Sequence, residues 1–354
     1  MRPALVAESE LMREPAFWWQ RGSGALLAPL GAIYGAVAWR RLQTTGASAG
    51  VPVICLGNLT VGGGGKTPAA LAVAHILLAA HERPFFLTRG YGGRLRGPVR
   101  VDPSYHRAID VGDEPLLLAR LAPTIVAGDR VAGAKAARLG GARVIVMDDG
   151  FQNPSLRKDL SILLVDGPRG VGNGRIIPAG PLRAPLEAQI SRAQGIVIVG
   201  PAANTAAVTQ LARQRSIPVL HGRLAPDREI VAALGPHKVL AFAGIASPEK
   251  FFMTLNDSGI AVAEQASFPD HHFYSATDAK DLIARAEAKG LVLITTEKDH
   301  VRLIGDPALA QLAARATALP VRLIVEEQGL FRDLVLGAVE RVSPRGARAQ
   351  PFLA

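Results

Sequence analysis

The run Gly57-Asn58-Leu59-Thr60-Val61-Gly62-Gly63-Gly64-Gly65-Lys66-Thr67-Pro68 restricts this chain more than any other segment. An apolar strand at residues 51–56 leads into it and a helical stretch at 69–78 leads out, the setting of a phosphate-binding loop. Four consecutive glycines let the backbone curl until several N–H groups face one anion, and the helix N-terminus adds its partial positive charge. Lys66 is spaced to reach the β- and γ-phosphates of a nucleotide and the Thr67 hydroxyl to ligate Mg²⁺. Pro68 falls in the first helical turn, where no N–H bond is lost. The common G-x-x-x-x-G-K-[ST] pattern has glycine where this chain has Thr60.

Beyond the loop, short β-branched runs at 84–88, 124–127, 143–147, 160–165, 195–199 and 218–220 alternate with helical stretches. Such alternation predicts an α/β fold, a P-loop NTPase-type, mostly parallel sheet with helices on both faces. Val144-Ile145-Val146-Met147-Asp148-Asp149 is an apolar strand ending in two acids, positioned to hold Mg²⁺ directly or through water. A second alternating block follows Gly235-Pro236, with strands at 239–243, 260–266, 291–295 and 321–326 and helices at 247–255 and 276–289. The resulting division is 1–45 as an N-terminal segment, 46–234 as the ATP-binding domain, 235–330 as a smaller α/β domain closing over the site, and 331–354 as a C-terminal helix and frayed tail.

Residues 22–39 carry no charge, and at 18 residues they barely reach spanning length. Trp18, Trp19, Tyr34 and Trp39 supply amphipathic rings, and Arg21, Arg40 and Arg41 bracket the segment. The expectation is a membrane-associated helix, interfacial or shallowly inserted, with a packed core helix as the alternative. Lys+Arg exceeds Asp+Glu, 40 against 30, which favours acidic partners. Nucleic acid is not expected, since aromatics make up 5% and no stacking or zinc motif appears. The single Cys55 cannot form an internal disulfide and reads as a small buried strand residue in a cytosolic chain.

Two further loops carry candidate chemistry. Asp113 and Glu114 stand before a helical stretch, where an acid serves either as a general base for a hydroxyl or as a helix cap. His271 and His272 follow a strand and point different ways, which argues against a zinc pair. Arginines crowd residues 83–107 and 169–192, and their planar forks suit an anionic substrate in addition to ATP.

Together with Thr88-Arg89-Gly90-Tyr91-Gly92, Gly112-Asp113-Glu114-Pro115, Asp148-Asp149-Gly150-Phe151-Gln152, Pro178-Ala179-Gly180-Pro181-Leu182-Arg183, Phe268-Pro269-Asp270-His271 and Thr295-Thr296-Glu297-Lys298-Asp299, the loop resembles the tetraacyldisaccharide 4′-kinase family, the lipid A 4′-kinases of Gram-negative bacteria. The blocks run in family order over about residues 15–330, and Thr60 is itself similar to that family. The resemblance implies transfer of the ATP γ-phosphoryl group to the 4′-hydroxyl of a tetraacylated disaccharide 1-phosphate, with Mg²⁺, at the cytoplasmic face of the inner membrane. It implies that Thr60, Val61, Gly62, Gly63, Gly64, Gly65, Lys66, Thr67 and Tyr91 meet the nucleotide. Asp113 would be the base, His271 rather than His272 its partner, and Lys66 a further catalytic group. Thr67, Glu114, Asp148 and Asp149 would organise the metal, and Arg130, Arg183 and Asn173 would meet the phosphate or disaccharide of the lipid substrate. The membrane surface is an expected partner and an obligate protein partner is not. The alternative, a membrane-recruited P-loop ATPase or GTPase switch, fits less well: Glu297-Lys298-Asp299 does not match the N-K-x-D spacing that reads guanine, and the early second lysine of partitioning ATPases is replaced by Thr60 and Val61.

Overall fold

The computed structural model describes residues 14–20, 22–62 and 65–342. After the helix α1 (Ala28–Gln43), the chain forms β1 (Val53–Asn58), α2 (Lys66–Ala79), β2 (Pro84–Thr88), β3 (Val99–Arg100), α3 (Ala108–Val111), α4 (Asp113–Ala119) and β4 (Thr124–Val126). It continues through α5 (Arg130–Leu139), β5 (Val144–Asp148), β6 (Leu160–Asp166), α6 (Leu186–Ile190), β7 (Gly195–Val199), α7 (Ala206–Gln214) and β8 (Val219–Pro226). These strands enter a nine-stranded sheet of order β13-β8-β7-β6-β1-β5-β2-β4-β3, where β13 (Val321–Val325) arrives from the far end of the chain. Every pair is parallel except the two edges, β13 with β8 and β3 with β4. The continuous apolar runs follow from burial on both faces. Along β1, Val53 and Cys55 enter one core with Met147, Leu163 and Ile198, while Ile54 and Leu56 enter the other with Val73 and Leu77 of α2. Cys55 is fully buried, and that burial pushes its thiol up to about 12.

The second unit runs through α8 (Arg228–Leu234), β9 (Lys238–Ala243), α9 (Pro248–Asp257), β10 (Ala261–Ser267), α10 (Ala276–Lys289), β11 (Val292–Thr296), α11 (Glu297–Leu303), α12 (Ala310–Arg315) and β12 (Ala316–Leu319). Its parallel sheet has the order β10-β9-β11-β12. Leu240 and Phe242 pack toward Leu282 of α10, Val239 and Ala241 toward Phe252 of α9.

Two boundaries differ from the sequence reading. The strand expected to close the second block, β13, pairs instead with β8 in the large sheet, and α13 (Gln328–Val342) buries Phe331 and Val335 against the α2 side of that sheet. Its alternating apolar pattern fits either sheet, so periodicity alone could not assign it. The boundary placed at Gly235 moves back to Asp227, because Leu234 of α8 packs in the second unit's core. The two chain crossings lie side by side, with Asp227 N donating to Pro320 O at 2.9 Å. Residues 1–13 and 343–354, to which the N-terminal segment and the tail were assigned in part, lie outside the described residues.

No described helix is long and apolar enough to cross a membrane. Gly31 and Gly35 of α1 are its contact stripe: a Cβ at Gly31 would stand 2.8 Å from the Ile176 carbonyl oxygen and one at Gly35 2.6 Å from the Ile176 side chain. The opposite stripe, Leu30, Ile33, Tyr34 and Val37, is exposed at helical spacing, and Leu26 just before the helix is 97% exposed. A large apolar stripe turned to solvent is the reverse of what a packed surface helix presents.

Candidate active site

The phosphate loop follows β1 and ends on the first turn of α2. Gly62 and Gly65 both take left-handed φ, 99° and 79°, which β-carbon-bearing residues rarely adopt. Gly63 and Gly64 lie outside the described residues. Thr60 pairs with Leu182, and Val61 N donates to Pro181 O at 2.9 Å, so the loop is tied to the Pro178–Arg183 segment. Lys66 opens α2, its ammonium 3.6 Å from Asp149 Oδ2.

Asp148 ends β5 and Asp149 follows it. They sit in different surroundings. Asp149 is held by Arg183, Nη1 to Oδ1 at 2.9 Å, and by Lys66; although burial opposes it, these cations keep its carboxyl below the usual range. Asp148 is 1% exposed, and neither of its oxygens has a hydrogen-bond partner among the described residues. Burial first, then the charge of Glu114, pushes it up to about 7. The Thr67 hydroxyl is likewise buried without a partner. A hydroxyl and a carboxylate that are buried and unpaired beside a phosphate loop are hard oxygen donors, the kind Mg²⁺ takes. Glu114, by contrast, is paired with Lys298 at 2.5 Å.

Asp113 is the first residue of α4, after Gly112 at φ 92°. A Cβ on Gly112 would lie 2.4 Å from Tyr91 O, so only glycine allows the chain to enter the helix here. The carboxylate is no helix cap: among the described residues Oδ1 accepts only from Glu114 N, at 2.7 Å. Its Oδ2 faces the second unit, meeting His271 Nδ1 at 3.2 Å and accepting from Arg302 Nε at 2.7 Å and from Arg302 Nη2. Burial alone would raise Asp113, but the His271 hydrogen bond and the Arg302 charge hold it well below the usual carboxylate range. Burial lowers His271 less than Asp113 raises it, so its pKa stands above the ordinary histidine value.

Arg302 is the residue the sequence reading did not single out. It lies one turn beyond Asp299 on α11, 6% exposed, and Nη1 donates to Asp299 Oδ1 at 2.8 Å and to Gly244 O at 2.7 Å. Gly244 O also accepts from His271 N at 3.0 Å, so one carbonyl fixes both the histidine and the arginine. An Arg at i+3 from the acid of the Thr-Glu-Lys-Asp block was the available signal. Asp149 and His271 are two of the four described non-glycine residues with positive φ, 51° and 55°, a conformation that surrounding contacts must enforce.

The remaining expected residues fall nearby or serve the scaffold. Tyr91 lies with its ring centroid 5.0 Å from that of His271, beside the Asp113–His271 contact. Arg130 opens α5 behind the Asp129 cap, is 3% exposed, and keeps a buried Nε without a partner, with burial and Arg89 holding its pKa down. Arg183 adds an Nε bond to Thr60 O at 3.1 Å, joining loop and acid. The Asn173 amide is spent on the carbonyls of Phe17, Ser23 and Ala179.

A family model described as Tetraacyldisaccharide-1-P 4′-kinase matches residues 23–340. A tetraacyldisaccharide 4′-kinase of Nitrobacter winogradskyi is 50% identical over 333 residues, covering 94% of this chain and 99% of the relative. One from Rhodopseudomonas palustris strain BisA53 is 51% identical, covering 95% and 100%. The crystal structure of LpxK from Aquifex aeolicus in complex with ATP superposes with a TM-score of 0.69 at 27% identity, over 89% of this chain and 99% of that one.

The raised Asp148 has a measurable consequence. Without a cation, the folded state keeps a proton that the unfolded chain releases above about pH 4, so stability falls as pH rises toward the folded value of about 7. Asp148→Asn removes that cost. In chelator at about pH 8 the variant unfolds at a higher temperature than wild type, the gap narrows toward about pH 4, and the variant loses the stabilisation that Mg²⁺–ATP gives wild type. Equal melting temperatures at both pH values with equal gains from Mg²⁺–ATP would contradict this.

Proposed function

This chain belongs to the tetraacyldisaccharide-1-P 4′-kinase family, and we propose that it carries out the family's phosphoryl transfer by closing two α/β units on a shared Asp113–His271 pair. The reaction moves the γ-phosphoryl group of ATP to the 4′-hydroxyl of tetraacyldisaccharide 1-phosphate in lipid A biosynthesis, giving the 1,4′-bisphosphate. The observation that carries the mechanism is the 3.2 Å contact between Asp113 of the first unit and His271 of the second, 158 positions apart in the chain.

The loop amides and Lys66 hold the phosphates, and Arg183, locked to Asp149 and the loop, fixes the Lys66 counter-charge. Thr67 and Asp148 would hold Mg²⁺, with Glu114 and Asp149 as the surrounding acids, and the ion would supply positive charge to the phosphoryl oxygens. The acceptor O–H bond breaks as its oxygen bonds the γ-phosphorus. The bond from that phosphorus to the bridging oxygen breaks, and its electron pair leaves with ADP. The released proton goes to the dyad. The resemblance makes Asp113 the base and His271 its partner; the proposed roles are exchanged, because Asp113 Oδ2 already accepts three donors and has low proton affinity, so it orients the imidazole from Nδ1 and leaves Nε2 as the proton's place. Tyr91 covers the imidazole, and Arg130 offers its unpartnered Nε to an anionic group of the acceptor or nucleotide. Asn173 acts through the loop it fixes. The exposed stripe of α1 lies in the lipid surface, which seats the enzyme peripherally on the cytoplasmic face of the inner membrane, where ATP and acceptor meet.

Because the base must be unprotonated and its pKa is raised, kcat/KM falls as pH drops through a value above 6.5. His271→Gln keeps a partner for Asp113 but takes no proton, so kcat falls by roughly 10²–10⁴ and the acid limb disappears. Asp113→Ala with His271→Ala is little worse than the more damaging single change, as for groups acting as a unit. An unchanged acid limb in His271→Gln, or fully multiplicative losses, removes the dyad.

The membrane assignment has its own test. Leu30→Ser with Ile33→Ser and Val37→Ser lowers partitioning onto phospholipid vesicles by at least about tenfold, at ~0.8 kcal/mol per buried CH₂, while turnover of detergent-dispersed acceptor is retained. Unchanged partitioning removes the interfacial role of α1.

A further inference from the structure

Between the C-terminal end of α1, the loop after β5 and the turn before β7 lies a cleft of about 160 Å³. One water needs only ~10–15 Å³. Arg41, Arg157, Lys158 and Arg192 line the cleft, and no Asp or Glu does. Their charges are poorly compensated. The Arg41 guanidinium has no ion-pair or hydrogen-bond partner among the described residues. Arg192 Nη2 donates to the neutral Gln43 Oε1 at 2.8 Å. Arg157 reaches Asp159 only at 3.5 Å, and the other oxygen of that acid is engaged by Val53 N. Lys158 donates to the carbonyls of Phe151 and Asn153, which leaves one of its three N–H groups for the cleft. Burial, and then the like charge of Arg192, hold Lys158 below the ordinary lysine value.

Cations crowded around an open space without a counter-charge repel one another, and an anion of several oxygens relieves them all at once. Arginine forks match phosphoryl oxygens two at a time. The cleft shares no residue with the Lys66, Asp113 and Asp148 site. Its position adds a second constraint: the exposed stripe Leu30, Tyr34, Val37 of α1 ends one turn later at Arg41. A molecule with a phosphoryl head in the cleft and acyl chains along α1 meets both features.

We propose that this cleft is a second lipid site, which takes the phosphoryl headgroup of an anionic glycerophospholipid and fixes the rotation of α1 on the bilayer. The choice of a lipid over a free phosphate rests on the interfacial reading of α1; the phosphoryl site itself does not. Lys158 is the floor, committed to the backbone, and the three arginines are the groups that grip.

The test uses the full chain with three variants. Arg41→Gln/Arg157→Gln/Arg192→Gln empties the cleft of its mobile cations. Lys135→Gln/Arg213→Gln/Lys280→Gln removes the same charge from exposed positions elsewhere. Binding to phosphatidylcholine vesicles is compared with and without phosphatidylglycerol, and glycerol 3-phosphate is titrated in solution. The cleft triple loses about tenfold or more of the phosphatidylglycerol-dependent gain, the control triple about twofold or less, given ~1 kcal/mol for each cation near an anionic surface. Both triples retain turnover on detergent-dispersed acceptor. Equal losses in the two triples overturn the site in favour of net charge alone. If glycerol 3-phosphate binds wild type but not the cleft triple while phosphatidylglycerol gives no gain, the site holds a free phosphate ester and the lipid is overturned. If Leu30→Ser/Ile33→Ser/Val37→Ser abolishes phosphatidylcholine binding yet keeps the cleft-dependent gain, the headgroup site stands and its role in fixing α1 on the bilayer is overturned.

Discussion

Arg302 holds the two halves of the molecule in one geometry. Its guanidinium is 1% exposed and sits between two carboxylates that are as deeply buried, Asp113 of the first unit and Asp299 of the second. Removing one partner from such a buried set costs about 3–5 kcal/mol, because the remaining charge has no water to turn to. The set is complete only when α4 and α11 meet, so closure is favoured as a whole or not at all. Lys298, one turn earlier on α11, adds its bond to Glu114 and fixes the register of that meeting. The Gly244 carbonyl passes the constraint to the His271 backbone, which brings the imidazole to Asp113. In the proposed mechanism the proton acceptor is assembled only where the two units meet, which would protect ATP from transfer to water when the acceptor lipid is absent.

The same closure sorts four acids into different roles. Asp113 is kept ionised by Arg302 and His271, and Asp149 by Lys66 and Arg183. Glu114 is committed to Lys298. Asp148 alone is left buried without a partner and holds its proton to about 7, so it is the acid with most to gain from a divalent cation. Environment, rather than residue type, separates the acid held ionised by its partners from the acid left without one.

Much of this was legible in the sequence, for identifiable reasons. The phosphate loop, the β5 acids and the strand–helix alternation are local signals, and the strands β2, β7 and β9 appear within a residue or so of their expected limits. Asp113 and His271 were named through a family resemblance; no local pattern could have shown that they touch. Arg302 escaped because its meaning lies in two acids brought together by the fold, one of them 189 residues away. The strand β13 was placed in the wrong sheet because an apolar alternation fits any open edge, and only the antiparallel register with β8 decides it. The exposed stripe of α1 was visible as an uncharged run, but the glycine pair that turns it outward has meaning only against Ile176.

If the Arg302 ion set closes the two units and thereby assembles the Asp113–His271 pair, its loss must open them. Spin labels on Lys135→Cys and Lys280→Cys, one in each unit, give the inter-unit distance distribution directly, with the buried Cys55 as a background site. Arg302→Met should shift the distribution to longer and broader distances and lower kcat by about two orders of magnitude or more, of the size expected for losing a positioned acid–base group, while ATP binding is retained. An unchanged distribution together with wild-type kcat in Arg302→Met would contradict the account.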